Sequence, residues 1–150
     1  MRPINPNMEV SSPGKVLILG GYLILYPQYN GVVLTTDHTV RCTLEAETGA
    51  PHGTIHVYST HFQEWYNFSN WTGEEVKNPF VKYAVETAWS AIIAHSEHVK
   101  PCRITINADD AFYGRRKTGL GSSAAVTTAL VKVILLWHGI DNIGIIHYTS

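Results

Sequence analysis

Charge of one sign is what this chain of 150 residues most lacks: 11 lysines and arginines stand against 12 aspartates and glutamates, for a net charge of −1. No bulk electrostatic case exists for a nucleic-acid partner or an anionic membrane surface, so any affinity for phosphate must be local. Cysteine is scarce. Cys42 and Cys102 stand in strand-like contexts without metal-ligand spacing, and both are expected to be buried, reduced thiols. The start, Met1-Arg2-Pro3-Ile4-Asn5-Pro6-Asn7, lacks the apolar core of a signal peptide, which points to a cytoplasmic location. Asn67-Phe68-Ser69 and Asn70-Trp71-Thr72 match the glycosylation pattern but, with no secretory route in view, are read as coincidence. No long apolar run crosses a membrane either, because the stretch over 121–137 is too short and Lys132 interrupts it. Internal repeats, low-complexity runs and linkers are also missing, so one α+β unit is the economical reading.

What is present suits such a unit. Hydrophobic residues make up 45% of the chain, and a chain of this size buries roughly 70% of its unfolded surface. Residues 15–19 read as a short buried strand, 31–36 as a second apolar run, and 39–46 as an alternating strand. A turn over 48–53 precedes strand candidates at 55–59 and 64–68. Asn78-Pro79 then reads as a helix start, with Phe80, Val81, Ala84, Val85, Ala88, Trp89 and Ile92 facing inward. A strand over 103–108 follows. A helix from about Gly121 to Trp137, apolar on nearly every side, is expected in the core and should stop near Gly139.

At the mouth of that helix stands Lys117-Thr118-Gly119-Leu120-Gly121-Ser122-Ser123-Ala124-Ala125. Helix N-termini carry unpaired N–H groups and partial positive charge, so they attract anions. Gly119 and Gly121 let a phosphate approach the backbone, Lys117 brings a point charge, and Ser122 and Ser123 can cap the helix or ligate a hard cation. No Walker A string occurs. Gly119-x-Gly121-x-x-Ala124 fits the relaxed dinucleotide fingerprint, and Asp141 lies about 20 residues downstream as that fingerprint asks. The preceding strand candidate ends well before the glycines, however, and Gly114-Arg115-Arg116-Lys117-Thr118 intervenes. A basic lead-in suits a phosphate cradle better than a tight strand-to-helix turn.

A second run, Ser11-Ser12-Pro13-Gly14-Lys15-Val16-Leu17-Ile18-Leu19-Gly20-Gly21-Tyr22, resembles the first motif of the GHMP kinases, and the run from Lys117 to Ala125 resembles their second, the phosphate loop. Gly20-Gly21-Tyr22-Leu23-Ile24-Leu25 and Asp109-Asp110-Ala111-Phe112-Tyr113 resemble the phosphomevalonate kinase branch as found in fungi, plants and protists. The resemblance implies an N-terminal ATP-binding domain over 1–150 with a mixed sheet, packing helices and a left-handed βαβ crossover. It implies ATP and Mg²⁺ as cofactors, with Lys117, Gly119, Leu120, Gly121, Ser122, Ser123 and Ala124 around the phosphates, Ser123 on the metal, and Lys15 near the transferred phosphoryl group. The implied reaction is phosphorylation of 5-phosphomevalonate to 5-diphosphomevalonate, in the mevalonate route to isoprenoids and sterols.

Without the resemblance, Lys15 reads as a solvated strand-end lysine, and Arg115 and Arg116 as solvated loop residues. The histidines, His38, His52, His56 and His61 among them, show no ligand pattern. Trp65, Tyr66, Phe68 and Trp71 can wall an adenine pocket, with core packing the favoured reading. The family's catalytic aspartate and its third motif lie further along the chain, and Asp109, Asp110 and Asp141 do not stand in a matching context. The expectation is therefore a half-enzyme whose C-terminal domain is absent, binding ATP but transferring little or nothing alone. Its alternatives are a non-catalytic nucleotide-binding module, another small-molecule kinase of the superfamily such as mevalonate kinase, and a dinucleotide-binding protein.

Overall fold

The computed structural model describes residues 7–70, 72–73, 76–95, 98–114 and 118–141. Its strands are β1 (Asn7–Leu19), β2 (Val32–Ala46), β3 (Thr54–Ser59), β4 (Glu64–Ser69), β5 (Thr72–Gly73) and β6 (Cys102–Ala108), and its helices are α1 (Pro79–Ala94) and α2 (Ser122–Trp137). They form one sheet in the order β1-β2-β6-β3-β4-β5. β2 runs antiparallel to both β1 and β6, whereas β3 and β6 are parallel neighbours. Parallel strands cannot be closed by a hairpin, and the chain travels from β3 to β6 through β4, β5 and α1. The fold is α+β, as the sequence indicated.

Period-two burial selects one face of the sheet. Val40, Cys42 and Leu44 of β2, Ile55 and Val57 of β3, and Ile104 and Ile106 of β6 are buried against both helices in a single core. The alternate residues carry charge: Arg41 meets Glu9 at 3.3 Å, and Glu47 takes both Arg103 at 3.1 Å and His56 at 2.8 Å. Cys42 pairs with Ile106 and Cys102 with Ala46 across neighbouring strands. That offset is four strand positions, roughly 13 Å at the strand rise, so no disulfide can close. Burial pushes both thiols up to about 12.

α1 begins as read. The Asn78 Oδ1 accepts from the Phe80 N–H at 3.1 Å and the Val81 N–H at 3.3 Å, with Pro79 in the first turn. Such a cap contributes about 1 kcal/mol. Phe80, expected inside, is 48% exposed. It lies about 100° around the helix from the centre of the stripe formed by Val81, Ala84, Val85, Ala88 and Ile92, at the edge rather than within it.

α2 starts at its first serine, and its cap is the residue before. Gly121, at φ 69 and ψ 39, is the cap, and no side chain caps this helix, contrary to the role open to Ser122 and Ser123. At the far end Gly139 is left-handed at φ 73. The Gly139 N–H reaches Leu136 O at 3.0 Å and the Ile140 N–H reaches Leu135 O at 2.9 Å, which is the glycine stop anticipated for this helix. His138 locks that end. Its buried Nε2 accepts from the Lys100 N–H at 2.9 Å, so Nδ1 carries the proton it shares with Ile134 O at 2.8 Å. Among the described residues no helix is long and apolar enough to cross a membrane.

The N-terminal strands differ from the sequence reading. Residues 31–36 and 39–46 are one strand, β2, and residues 15–19 end a longer β1. Nor is that end buried: Leu17, Ile18, Leu19, Val32, Val33 and Leu34 are all exposed, Leu19 by 64%. β6 pairs with β2 only from Val40 onward. Beyond that point no other strand pairs with β1 or β2, and past Lys15 they leave the sheet as a ribbon whose residues 17–19 and 32–34 are exposed on both faces. The 3-10 turn Gly21–Leu25 at its tip exposes Tyr22, Leu23, Ile24 and Leu25 as well. A contiguous apolar surface of this kind is an association surface. Sedimentation should show concentration-dependent self-association that falls when Leu19 and Leu25 are replaced by lysine, with stability changed by no more than about 0.5 kcal/mol. Aromatic-disulfide titration at pH 8 should label neither cysteine in the native chain and both after unfolding, since thiolate is scarce and access is closed.

Candidate nucleotide site

The structure brings the two sequence motifs together through their backbones. The Lys15 N–H of β1 donates to the Leu120 carbonyl at 2.8 Å. The contact sits where β1 skips a register position between Pro13 and Lys15. Gly14 makes it possible, because a Cβ there would stand 2.8 Å from Leu120 O, 2.8 Å from Thr36 Oγ1 and 2.9 Å from Phe112 Cε1. Gly121 lies against Lys15, 3.3 Å from its Cγ and its carbonyl for an added Cβ. Gly119 and Gly121 are both left-handed, at φ 68 and 69. Thr118 Oγ1 donates to Phe112 O at 3.4 Å and ties the loop to the 3-10 turn Asp110–Tyr113.

Beside the start of α2 opens a cavity of about 420 Å³. Val81, Ile106 and Val126 form its apolar floor, while Phe62, Phe80 and Tyr113 supply aromatic walls. Tyr113 stacks on His61 at 3.8 Å between ring centroids and meets the Phe62 edge at 5.5 Å. Ser122 and Ser123 close one end. Glu64, Tyr66 and Asn78 stand on another stretch of wall. The Tyr66 hydroxyl donates to Glu64 Oε2 at 3.0 Å and is hydrogen-bonded by the Asn78 side chain. Burial, with Glu64 adding to it, pushes the Tyr66 phenol above its ordinary value, so it is a protonated donor at neutral pH. Burial also raises Tyr113.

Of the residues named from sequence, Lys15, Leu120 and Gly121 meet directly, and Ser122 and Ser123 enter the cavity wall. Ala124 is half-buried in the first turn of α2, Gly119 is exposed in the loop, and the Lys15 side chain is exposed beyond Gly121 rather than in the cavity. Lys117, with Arg115 and Arg116, lies outside the described residues. Of the described members of the proposed adenine wall, Tyr66 alone lines the cavity. Phe68 is core, Trp71 lies outside the described residues, and Trp65 is 52% exposed beside Tyr58 at 4.8 Å and the Arg103 guanidinium at 5.8 Å. Strand alternation sends Trp65 and Tyr66 to opposite faces.

The walls that sequence reading missed, Phe62, Phe80 and Tyr113, come from three separated segments with no shared pattern. Among the described residues no cluster of three His, Cys, Asp or Glu side chains is placed to hold a metal. Asp109 accepts from the Thr39 N–H at 2.7 Å and Asp141 pairs with Lys132 at 3.0 Å. The dinucleotide alternative needs a parallel sheet with the glycines directly after a strand. Here β3–β6 is the one parallel pair among the described strands, and a 3-10 turn separates β6 from the glycines.

No protein-family model matches the chain. Solved structures do. A phosphomevalonate kinase from Streptococcus pneumoniae, in complex with phosphomevalonate and AMPPNP, superposes with a TM-score of 0.74 at 18% identity, over 90% of this chain and 38% of that one. The chain has the GHMP-kinase fold. The mevalonate kinase of Methanococcus jannaschii shares that GHMP-kinase fold at a TM-score of 0.69 and 16% identity, over 93% of this chain and 43% of that one. In sequence the chain is similar to the phosphomevalonate kinase of Aspergillus fumigatus, 27% identical over 91% of this chain. It spans 42% of that relative's length.

The glycine geometry gives a graded expectation. Gly14→Ala should cost about 3 kcal/mol in urea denaturation, since the new methyl meets backbone and side chain within 3 Å. Gly119→Ala, left-handed but in open space, should cost about 1 kcal/mol. Equal costs would mean that the packing of β1 against the loop does not constrain Gly14.

Proposed function

We propose that this chain is the ATP-phosphate-binding part of a kinase that phosphorylates 5-phosphomevalonate to 5-diphosphomevalonate in the mevalonate pathway. One observation carries the reading: the Lys15–Leu120 backbone contact joins both motifs at the start of a buried helix that opens into a nucleoside-sized cavity. The acceptor rests on the phosphomevalonate kinases to which the chain is similar.

The N-terminus of α2 holds the phosphates through its first N–H groups, and the left-handed glycines keep side chains off that approach. The cavity takes the nucleoside between its apolar floor and its aromatic walls. The half-exposed Ser123 hydroxyl at the start of α2 would hold a Mg²⁺ ion, which would supply charge neutralisation when bound. Lys15 and Lys117 neutralise charge on the transferred group, which is what phosphoryl transfer asks of a protein more than covalent help. Asp109 and Asp141, held by the Thr39 N–H and Lys132, do not serve as the catalytic aspartate, so residues 7–141 by themselves bind ATP and transfer poorly.

Calorimetry with Mg-ATP tests this. The wild-type chain should bind, and Lys117→Ala and Ser123→Ala should each weaken binding about tenfold. No heat from a chain whose circular dichroism and melting are those of a folded protein would sink the site assignment.

A further inference from the structure

We propose that Glu64 reads the base: its carboxylate, aimed by Tyr66 and Asn78, accepts a hydrogen bond from an exocyclic amino group, so that the cavity selects an amino-bearing purine. This rests on the nucleotide reading above and says which chemical feature of the nucleotide that site recognises.

The hydrogen bonds around Glu64 run in one direction. Asn78 spends its Oδ1 on the Phe80 and Val81 N–H groups at the start of α1, so its amide N–H is what it offers Tyr66. The Tyr66 oxygen, receiving that donor, directs its own proton to Glu64 Oε2 at 3.0 Å. Tyr66 is 4% exposed, so this relay is built into the wall rather than laid on the surface. It ends on the Glu64 carboxylate, whose oxygens accept. Among the described residues no lysine or arginine pairs with Glu64.

Charge then orients the ligand. Phosphate oxygens are anionic acceptors, repelled by Glu64 and attracted by the N-terminus of α2, where Ser122 and Ser123 line the cavity; the exposed Lys77, beside Asn78 in the chain, also lines it and brings a positive charge. The base is left to the Glu64 stretch, between Phe62, Phe80 and Tyr113. The feature of an adenine edge that pairs with the Glu64 carboxylate is its exocyclic amine, and a ring without that amine leaves this acceptor unmatched.

The test compares Mg-ATP with the Mg complex of purine riboside 5′-triphosphate, which has the same ring, ribose and phosphates but no 6-amino group. Wild type should bind ATP about tenfold more tightly, the value of a hydrogen bond to a charged, partly exposed acceptor. Glu64→Ala, at an exposed strand start, should bring the affinities for ATP and the amine-free analogue together. Tyr66→Phe, which keeps the ring, should narrow the ratio. A merely structural effect would weaken both ligands together and leave the ratio standing. Equal wild-type affinities, or a ratio untouched by Glu64→Ala, would overturn the role of Glu64 while the nucleotide site stands. Failure of both ligands to bind a folded wild-type chain would overturn the nucleotide reading and this inference with it.

Discussion

One backbone hydrogen bond, from Lys15 N–H to Leu120 O, holds the candidate site in register. Its geometry demands that β1, the glycine loop and Phe112 come within van der Waals contact at Gly14. A side chain at that position would push the loop away from the sheet, and the mouth of α2 would lose its fixed relation to the strand that carries Lys15. The rest of the site is built outward from this junction. α2 is fixed to the fold at its other end by His138 and Lys100, so its N–H groups are presented by a body that does not yield. Preorganised dipoles of this sort stabilise charge without reorganising as the charge arrives.

The cavity divides its labour by polarity. Its apolar floor belongs to the same layer of side chains that forms the core, through Val81, Ile106 and Val126. Its lining carries opposite electrostatic preferences, the N-terminus of α2 and Lys77 on one side of the balance and the Glu64 carboxylate on the other. Neither preference comes from net charge, which is nearly zero across the chain. A few oriented groups in a half-enclosed space do what a bulk field cannot.

Much of this was legible in the sequence because it is local. Asn78-Pro79 announces α1, the apolar run and Gly139 bound α2, and period-two alternation marks β2, β3 and β6. The two glycine-containing motifs are visible in the sequence, but their contact through Lys15 and Leu120 is tertiary. What escaped reading is tertiary. An apolar run looks the same whether it is covered by its own core or left open, which is why residues 15–19 read as a buried strand although Leu17, Ile18 and Leu19 are exposed. The cap of α2 fell to Gly121 because a left-handed residue had to turn the loop against Lys15, and the serines that follow were thereby inside the helix. Phe62, Phe80 and Tyr113 converge only after β4, α1 and the turn before the loop are packed.

Asn78 has a consequence of its own. Its carbonyl oxygen begins α1, while its amide supports Tyr66 and through it Glu64. Folding and ligand selection therefore draw on opposite ends of one carboxamide, and the two are thermodynamically linked there. For a variant at this position, an apparent affinity mixes the fraction of molecules folded with the intrinsic strength of binding. The two separate only when stability and affinity are measured on the same sample and combined in a cycle with Tyr66 or Glu64.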